Sequence, residues 1–137
     1  MKSFNEFVKE MKVKKGEPDK AMARSLFEQA TNRLSDLKTL PLNEANASFR
    51  FEDAYECIRE AVQSFMAKEG YKPYSHEAVV SYAVEKQLLN EAETATFDRY
   101  REIRNDITYR GQKTTIDETK EAIDFSEKII NKLVTLI

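Results

Sequence analysis

Apolar residues recur at helical spacing in long runs, and that periodicity constrains this chain more than any other feature. Between residues 19 and 38 the stripe is Ala23, Leu26, Phe27, Ala30, Leu34 and Leu37, positions that share one face of an α-helix. Between 44 and 69 it is Phe51, Tyr55, Ile58, Val62 and Phe65. Towards the C-terminus Ile116, Ile123, Ile130 and Ile137 recur every seven residues, and Ala122, Ile129, Leu133 and Leu136 widen them into one broad apolar face. A strand, with its period of two, could not keep any of these sets on one side. Each stripe needs a partner surface, so the chain must bury helix against helix.

The punctuation agrees with the stripes. Three glycines and three prolines are too few for a β-fold that turns every ten or so residues. Residues 1–13 read as a short amphipathic helix with Phe4, Phe7, Val8 and Met11 on one side, and "KKGEP" (14–18) breaks it. "TLPLN" turns the chain after the next helix, and Gly70 stands where a C′ glycine belongs. "YKPY" reads as a connection, after which Ser75 N-caps a helix over 76–89 carrying Val79, Val80, Ala83, Val84 and Leu88. Asn90 with Glu93, and Thr115 with Glu118, are capping-box patterns that open the last two helices, the first of which ends at Gly111. The expected architecture is all-α, an up-and-down helical bundle of four main helices plus short additional ones. Residues 1–18 form its short helix and linker, 19–137 the bundle, and "VKEMKVKK" (8–15) a solvated arm. A chain of 137 residues is long enough for one domain with its own core.

Charge narrows the function. The formal net charge is −2, so bulk electrostatics does not drive nucleic-acid binding, and an anionic ligand must use local basic positions. Those are concentrated in residues 1–24, with seven Lys/Arg against four Asp/Glu, and in 97–113, with five against three. One cysteine and one histidine cannot supply a Cys/His zinc site. No Glu-x-x-His stands on a helix for a di-iron site, so no cofactor or metal is expected. Cys57 falls among Ala54, Ile58, Ala61 and Val62 and reads as a core thiol. No run approaches the roughly 18 apolar residues of a membrane span, and the N-terminus lacks a secretory apolar region. The expectation is a reduced, cytoplasmic protein with no membrane association.

The stretch that carries chemistry is "RYREIRNDITYRG", residues 99–111. On a helical wheel with Phe97 at zero, Tyr100, Ile103 and Ile107 fall at about 300°, 240° and 280°. Arg104 falls near 340°, at the edge of that buried stripe, with Asn105 and Tyr109 at about 80° and 120°. A partly desolvated guanidinium needs a partner: an acid, a carbonyl end or a ligand phosphate. Glu52, Asp53 and Glu56 of the preceding long helix are the candidate acids. Arg101 and Arg110 sit at spacings that also suit solvated ion pairs along the helix. His76, just after the Ser75 cap, stands where the helix dipole favours a neutral imidazole.

"RNDITYRG" at a helix end, with "YKPYSHEAVVSYAVEK" upstream, resembles the HEPN superfamily (higher eukaryotes and prokaryotes nucleotide-binding domain) over roughly residues 19–137. The resemblance implies a compact helical bundle that forms a homodimer. Many such domains are metal-independent ribonucleases; others are non-catalytic, and some pair with a nucleotidyltransferase encoded beside them. Arg104 matches the motif arginine and Asn105 the polar residue beside it, while Tyr109 stands where the motif histidine would be. In the family, that histidine moves protons while the arginine stabilises charge on the phosphate under attack by a ribose 2′-OH. A phenol, with an ordinary pKa near 10, is ionised only about one part in a thousand at neutral pH and makes a poor general base.

Three functions follow from this reading. The expected one is a non-catalytic or degenerate HEPN-like domain that binds nucleotide or RNA phosphate as a dimer, as partner of a nucleotidyltransferase in a toxin–antitoxin-like system. Arg104, Asn105 and Tyr109 form its site, with Arg101, Arg110 and His76 as further contacts. The alternatives are an active metal-independent endoribonuclease, with Tyr109 in place of the histidine or His76 as a relocated base, and a helical protein-interaction adaptor.

Overall fold

A computed structural model describes residues 1–137. The elements in chain order are α1 (Phe4–Lys9), β1 (Val13–Lys15), α2 (Lys20–Thr39), α3 (Ala47–Glu69), β2 (Tyr71–Pro73), α4 (His76–Glu85), α5 (Glu91–Arg110) and α6 (Ile116–Leu133). The long helices α2, α3, α5 and α6 are the four expected from the stripes, with α1 and α4 the short additional ones. α3 is the central member, and α2, α4, α5 and α6 all pack against it. Its sequence explains why: Ala47, Phe51, Ala54, Ile58, Ala61, Val62, Phe65 and Met66 bury most of its circumference, as a helix enclosed by neighbours requires.

Side-chain caps fix the helix starts. Asp19 Oδ1 accepts from the Met22 amide at 2.9 Å, and Asn90 and Glu93 close a full capping box at 2.8 and 2.9 Å. At α6 only half of the expected box forms. Thr115 Oγ1 accepts from the Glu118 amide at 3.1 Å, but the Glu118 carboxylate turns away to the Thr114 hydroxyl and Arg99. α4 is also shorter than 76–89. It ends at Glu85, and Gln87 takes a positive φ of 58°, which lets Leu88 and Leu89 turn inward and be buried. α6 stops at Leu133, leaving Leu136 and Ile137 exposed.

The N-terminal segment departs furthest from the sequence reading. The first helix spans only Phe4–Lys9, and Met11, expected on its apolar side, is exposed with a positive φ of 63°. Residues 13–15 are no solvated arm. They pair antiparallel with 71–73, part of the segment read as a connection, in the register Val13↔Pro73, Lys14↔Lys72 and Lys15↔Tyr71. Period two then explains the burial: Val13 joins the same core as Phe4 and Phe7, while Lys14 and Lys72 face out. The ribbon is fastened to the end of α3 by Gly70, at φ 90°, whose carbonyl accepts from the Gly16 amide at 2.7 Å.

Buried polar groups all find partners. Glu60 accepts from Arg33 Nε at 2.7 Å, Glu93 from Lys132 at 2.6 Å, and Ser126 donates to the Ala54 carbonyl at 2.7 Å. Cys57 is fully buried, and burial pushes its thiol up to about 12, so it is an unreactive core thiol as its neighbours in sequence suggested. No helix is long and apolar enough to cross a membrane.

Candidate functional site

Arg104, Asn105 and Tyr109 come together on the last two turns of α5. Arg104 Nη1 donates to Asn105 Oδ1 at 3.3 Å and reaches the Tyr109 hydroxyl at 3.5 Å, the outer limit of a hydrogen bond. The guanidinium also stands 5.6 Å from the centre of the Tyr109 ring, within cation–π range. Tyr109 is itself 73% exposed, so one face of that ring remains open to solvent.

Half-buried Arg104 has no carboxylate within 4.0 Å, the distance that defines an ion pair. The acids that could have neutralised it are engaged elsewhere. Glu52 accepts from Thr108 at 3.4 Å, Asp53 faces Arg33 at 3.5 Å and Arg50 at 3.9 Å, and Glu56 is held by Arg59 at 2.5 Å. Arg104 therefore keeps an uncompensated charge and a guanidinium edge met only by neutral groups.

Arg101 and Arg110 differ from it. The Arg101 side chain is only 13% exposed and is surrounded by Asp98 at 2.9 Å, Glu77 at 3.6 Å and Glu102 at 3.8 Å. Its charge is spoken for. Arg110 is exposed and faces Asp106 at 3.4 Å, one turn back along the same helix, the solvated pair expected from its spacing.

His76 opens α4 in the same electrostatic neighbourhood. Its Nδ1 stands 2.9 Å from the hydroxyl of Tyr55, and the two rings stack at 5.8 Å. Burial, then the charges of Arg59 and Arg104, hold the imidazole below its ordinary pKa, with Glu56 pulling the other way and Arg101 adding to the lowering. It is neutral at pH 7. Burial also raises the Tyr55 phenol, so the hydroxyl keeps its proton and can either donate to Nδ1 or accept from it, according to the ring tautomer. In the first case Nε2 carries the ring proton and is a donor; in the second Nδ1 carries it and Nε2 is an acceptor.

Tyr55 and Arg59 are not among the site residues expected from sequence, and Glu56 is expected there only as an acid for Arg104. Arg59 donates from Nε to both Glu56 oxygens at 3.1 and 3.2 Å, and from Nη1 to Gln63. Burial pushes the Glu56 carboxyl up, but the Arg59 bond outweighs it and holds the group below the usual carboxylate range. A signal existed: Glu52, Glu56, Arg59 and Gln63 recur at i, i+4, i+7 and i+11 beside the apolar stripe of the same helix, which marks a polar face meeting polar neighbours. The local balance is three guanidiniums, of Arg59, Arg101 and Arg104, around a neutral histidine. Only the third lacks an acid, so the surface has one unmatched positive charge.

Set against known proteins, the chain matches no family model, no curated protein and no solved structure.

Proposed function

We propose that this chain is a HEPN-like, non-catalytic domain that binds the phosphate of a nucleotide or RNA through Arg104. The observation that carries the proposal is the half-buried Arg104 guanidinium without a carboxylate partner, flanked by Asn105 and Tyr109. A guanidinium fork matches two phosphate oxygens at once. Asn105 supplies both a donor and an acceptor to orient the bound group, and the exposed Tyr109 ring offers a base a stacking surface. Helix order and the placement of Arg104-Asn105 near a helix end support the family reading. The resemblance also supplies a homodimer, with two such clusters across one groove, and a nucleotidyltransferase subunit as partner.

Arg104→Ala tests this directly. A charge-assisted hydrogen bond contributes about 1.5–3 kcal/mol, so the variant should bind a mononucleotide or short RNA about 10- to 150-fold more weakly. Unchanged affinity in a folded variant overturns the proposal.

One observation favours the ribonuclease as second reading: a neutral His76, held by Tyr55, stands within the field of Arg104. With the Tyr55 hydroxyl accepting instead of donating, Nδ1 carries the proton and Nε2 becomes a base for a ribose 2′-OH. Cleavage in excess chelator that disappears in both Arg104→Ala and His76→Gln supports that reading. Cleavage gained only in Tyr109→His means a site complete but for its base.

A further inference from the structure

The outward face of the β1–β2 ribbon carries Lys12, Lys14, Lys72 and Tyr74, all exposed. Lys14 and Lys72 are directly opposed across the ribbon, and the Tyr74 amide donates to the Lys12 carbonyl at 2.7 Å, so Lys12 and Tyr74 are opposed one step further along the same face. Like charges facing each other across two strands destabilise the pairing. None of the three ammonium groups has a carboxylate within 4.0 Å, although the chain as a whole has more acids than bases. Lys72 is instead 5.8 Å from the centre of the Tyr74 ring. Lys15, also exposed but on the Val13 side of the ribbon, is treated differently: it donates to the Glu69 carbonyl at 2.6 Å and covers the Tyr71 ring at 4.2 Å. Bare lysines alongside an exposed aromatic make the surface that a single-stranded phosphodiester backbone uses, with phosphates on the ammonium groups and a base on the ring.

The ribbon also leads into the site described above. Lys72 and His76 are four positions apart in the chain, a span of at most about 14 Å, and Glu77, next to His76, faces Arg101 of α5 at 3.6 Å, one turn before Arg104. At about 3.4 Å per nucleotide, some four stacked nucleotides cover that distance.

We infer that the ribbon face of Lys12, Lys14, Lys72 and Tyr74 is a second phosphate-contact platform, and that the ligand is a single-stranded polynucleotide running from the ribbon to Arg104 rather than a free nucleotide. This rests on the reading of Arg104 as a phosphate contact.

The test compares wild type, the triple variant Lys12→Gln/Lys14→Gln/Lys72→Gln, and Arg104→Ala. The probes are an oligouridylate of roughly a dozen nucleotides, uridine monophosphate, and vesicles of anionic phospholipid, titrated over a range of salt. Three lost single-strand contacts reduce the slope of log affinity against log salt by about 2, and lower oligouridylate affinity about 100-fold at about 0.1 M salt. Uridine monophosphate affinity should be unchanged in the triple variant and weakened in Arg104→Ala. Because the three lysines are exposed and two of them repel each other, the triple variant should melt no lower than wild type. Equal oligouridylate affinity and salt slope in wild type and the triple variant overturn the platform, whatever Arg104→Ala does. Wild-type binding to vesicles but not to oligouridylate overturns it as well. A triple variant that loses oligouridylate beside an Arg104→Ala that loses nothing overturns the Arg104 reading and leaves the platform standing.

Discussion

Replacing Gly70 by alanine should be among the most damaging single-methyl changes in this chain. Its φ of 90° is a conformation that L side chains rarely adopt, and leaving an alanine there costs about 1–2 kcal/mol. The added Cβ would stand 2.3 Å from the Gly16 carbonyl oxygen, 2.9 Å from the Glu17 carbonyl carbon and 3.0 Å from the Pro18 nitrogen. All three are backbone atoms, so no side chain can swing aside; the link between β1 and α2 must move. That movement strains the packing by about 1–3 kcal/mol. It also weakens the 2.7 Å bond from the Gly16 amide to the Gly70 carbonyl, for about 0.5–1.5 kcal/mol more. The sum is about 2.5–6.5 kcal/mol, a drop in melting temperature of about 8–25 °C for a domain of this size. The other glycines are built-in controls. Gly111 shares the positive φ, at 65°, but its Cβ would meet nothing within 4 Å, so Gly111→Ala should cost only about 1 kcal/mol. Gly16 has no positive φ and its Cβ would meet the Gly70 oxygen at 3.8 Å, so Gly16→Ala should stay within about 0.5 kcal/mol of wild type. Denaturant unfolding with a common m-value ranks the three. If Gly70→Ala loses no more than Gly111→Ala, the close approach of these two backbone segments is wrong, and with it the clamp that holds the lysine ribbon.

The single histidine makes pH dependence readable. His76 should titrate below 6.5 by NMR, and Arg104→Ala should move it upward by removing one of the charges that depress it. Because the folded value is the lower one, the stability His76 contributes is complete above about pH 6.5 and is lost as pH falls through its folded pKa; a midpoint that rises on acidification through that window refutes the assignment. Bound phosphate should raise the same pKa, so nucleotide binding should tighten as pH falls. Arg101→Met should change nucleotide affinity far less than Arg104→Ala, since three acids already neutralise Arg101; equal losses in a binding titration contradict that distinction. Cys57 should react with a thiol reagent only at the rate of global unfolding, because it is fully enclosed and its thiol is raised to about 12; rapid labelling of the native protein means an opening this packing does not provide.

Most of the fold was legible because its signals are local. Stripes such as Phe51, Tyr55, Ile58 and Val62, and caps such as Ser75, Asn90 and Thr115, depend only on neighbours within a turn or two. What the sequence concealed depends on residues far apart in the chain. Strands of three residues each, 13–15 and 71–73, carry too little alternation to announce themselves, and their pairing is fixed by the Gly16–Gly70 approach across more than fifty positions. Arg104 at the rim of the buried stripe followed from helical geometry. Whether Glu52, Asp53 or Glu56 neutralised it did not, since each had several possible partners and the outcome turned on where Arg33, Arg50, Arg59 and Thr108 were placed. The Tyr55–His76 bond was concealed for the opposite reason: Tyr55 reads as one more apolar position on α3, and only the entry of α4 brings a ring nitrogen to its hydroxyl.

The most direct measurement is the affinity of wild type and Arg104→Ala for a short single-stranded RNA, in excess chelator, with the RNA from each mixture then examined for cleavage. Wild-type binding that weakens about 10-fold or more in the variant, with the RNA intact in both, is the result expected of a non-catalytic phosphate-binding domain. Equal binding by the two proteins contradicts the assignment of Arg104 as the phosphate contact.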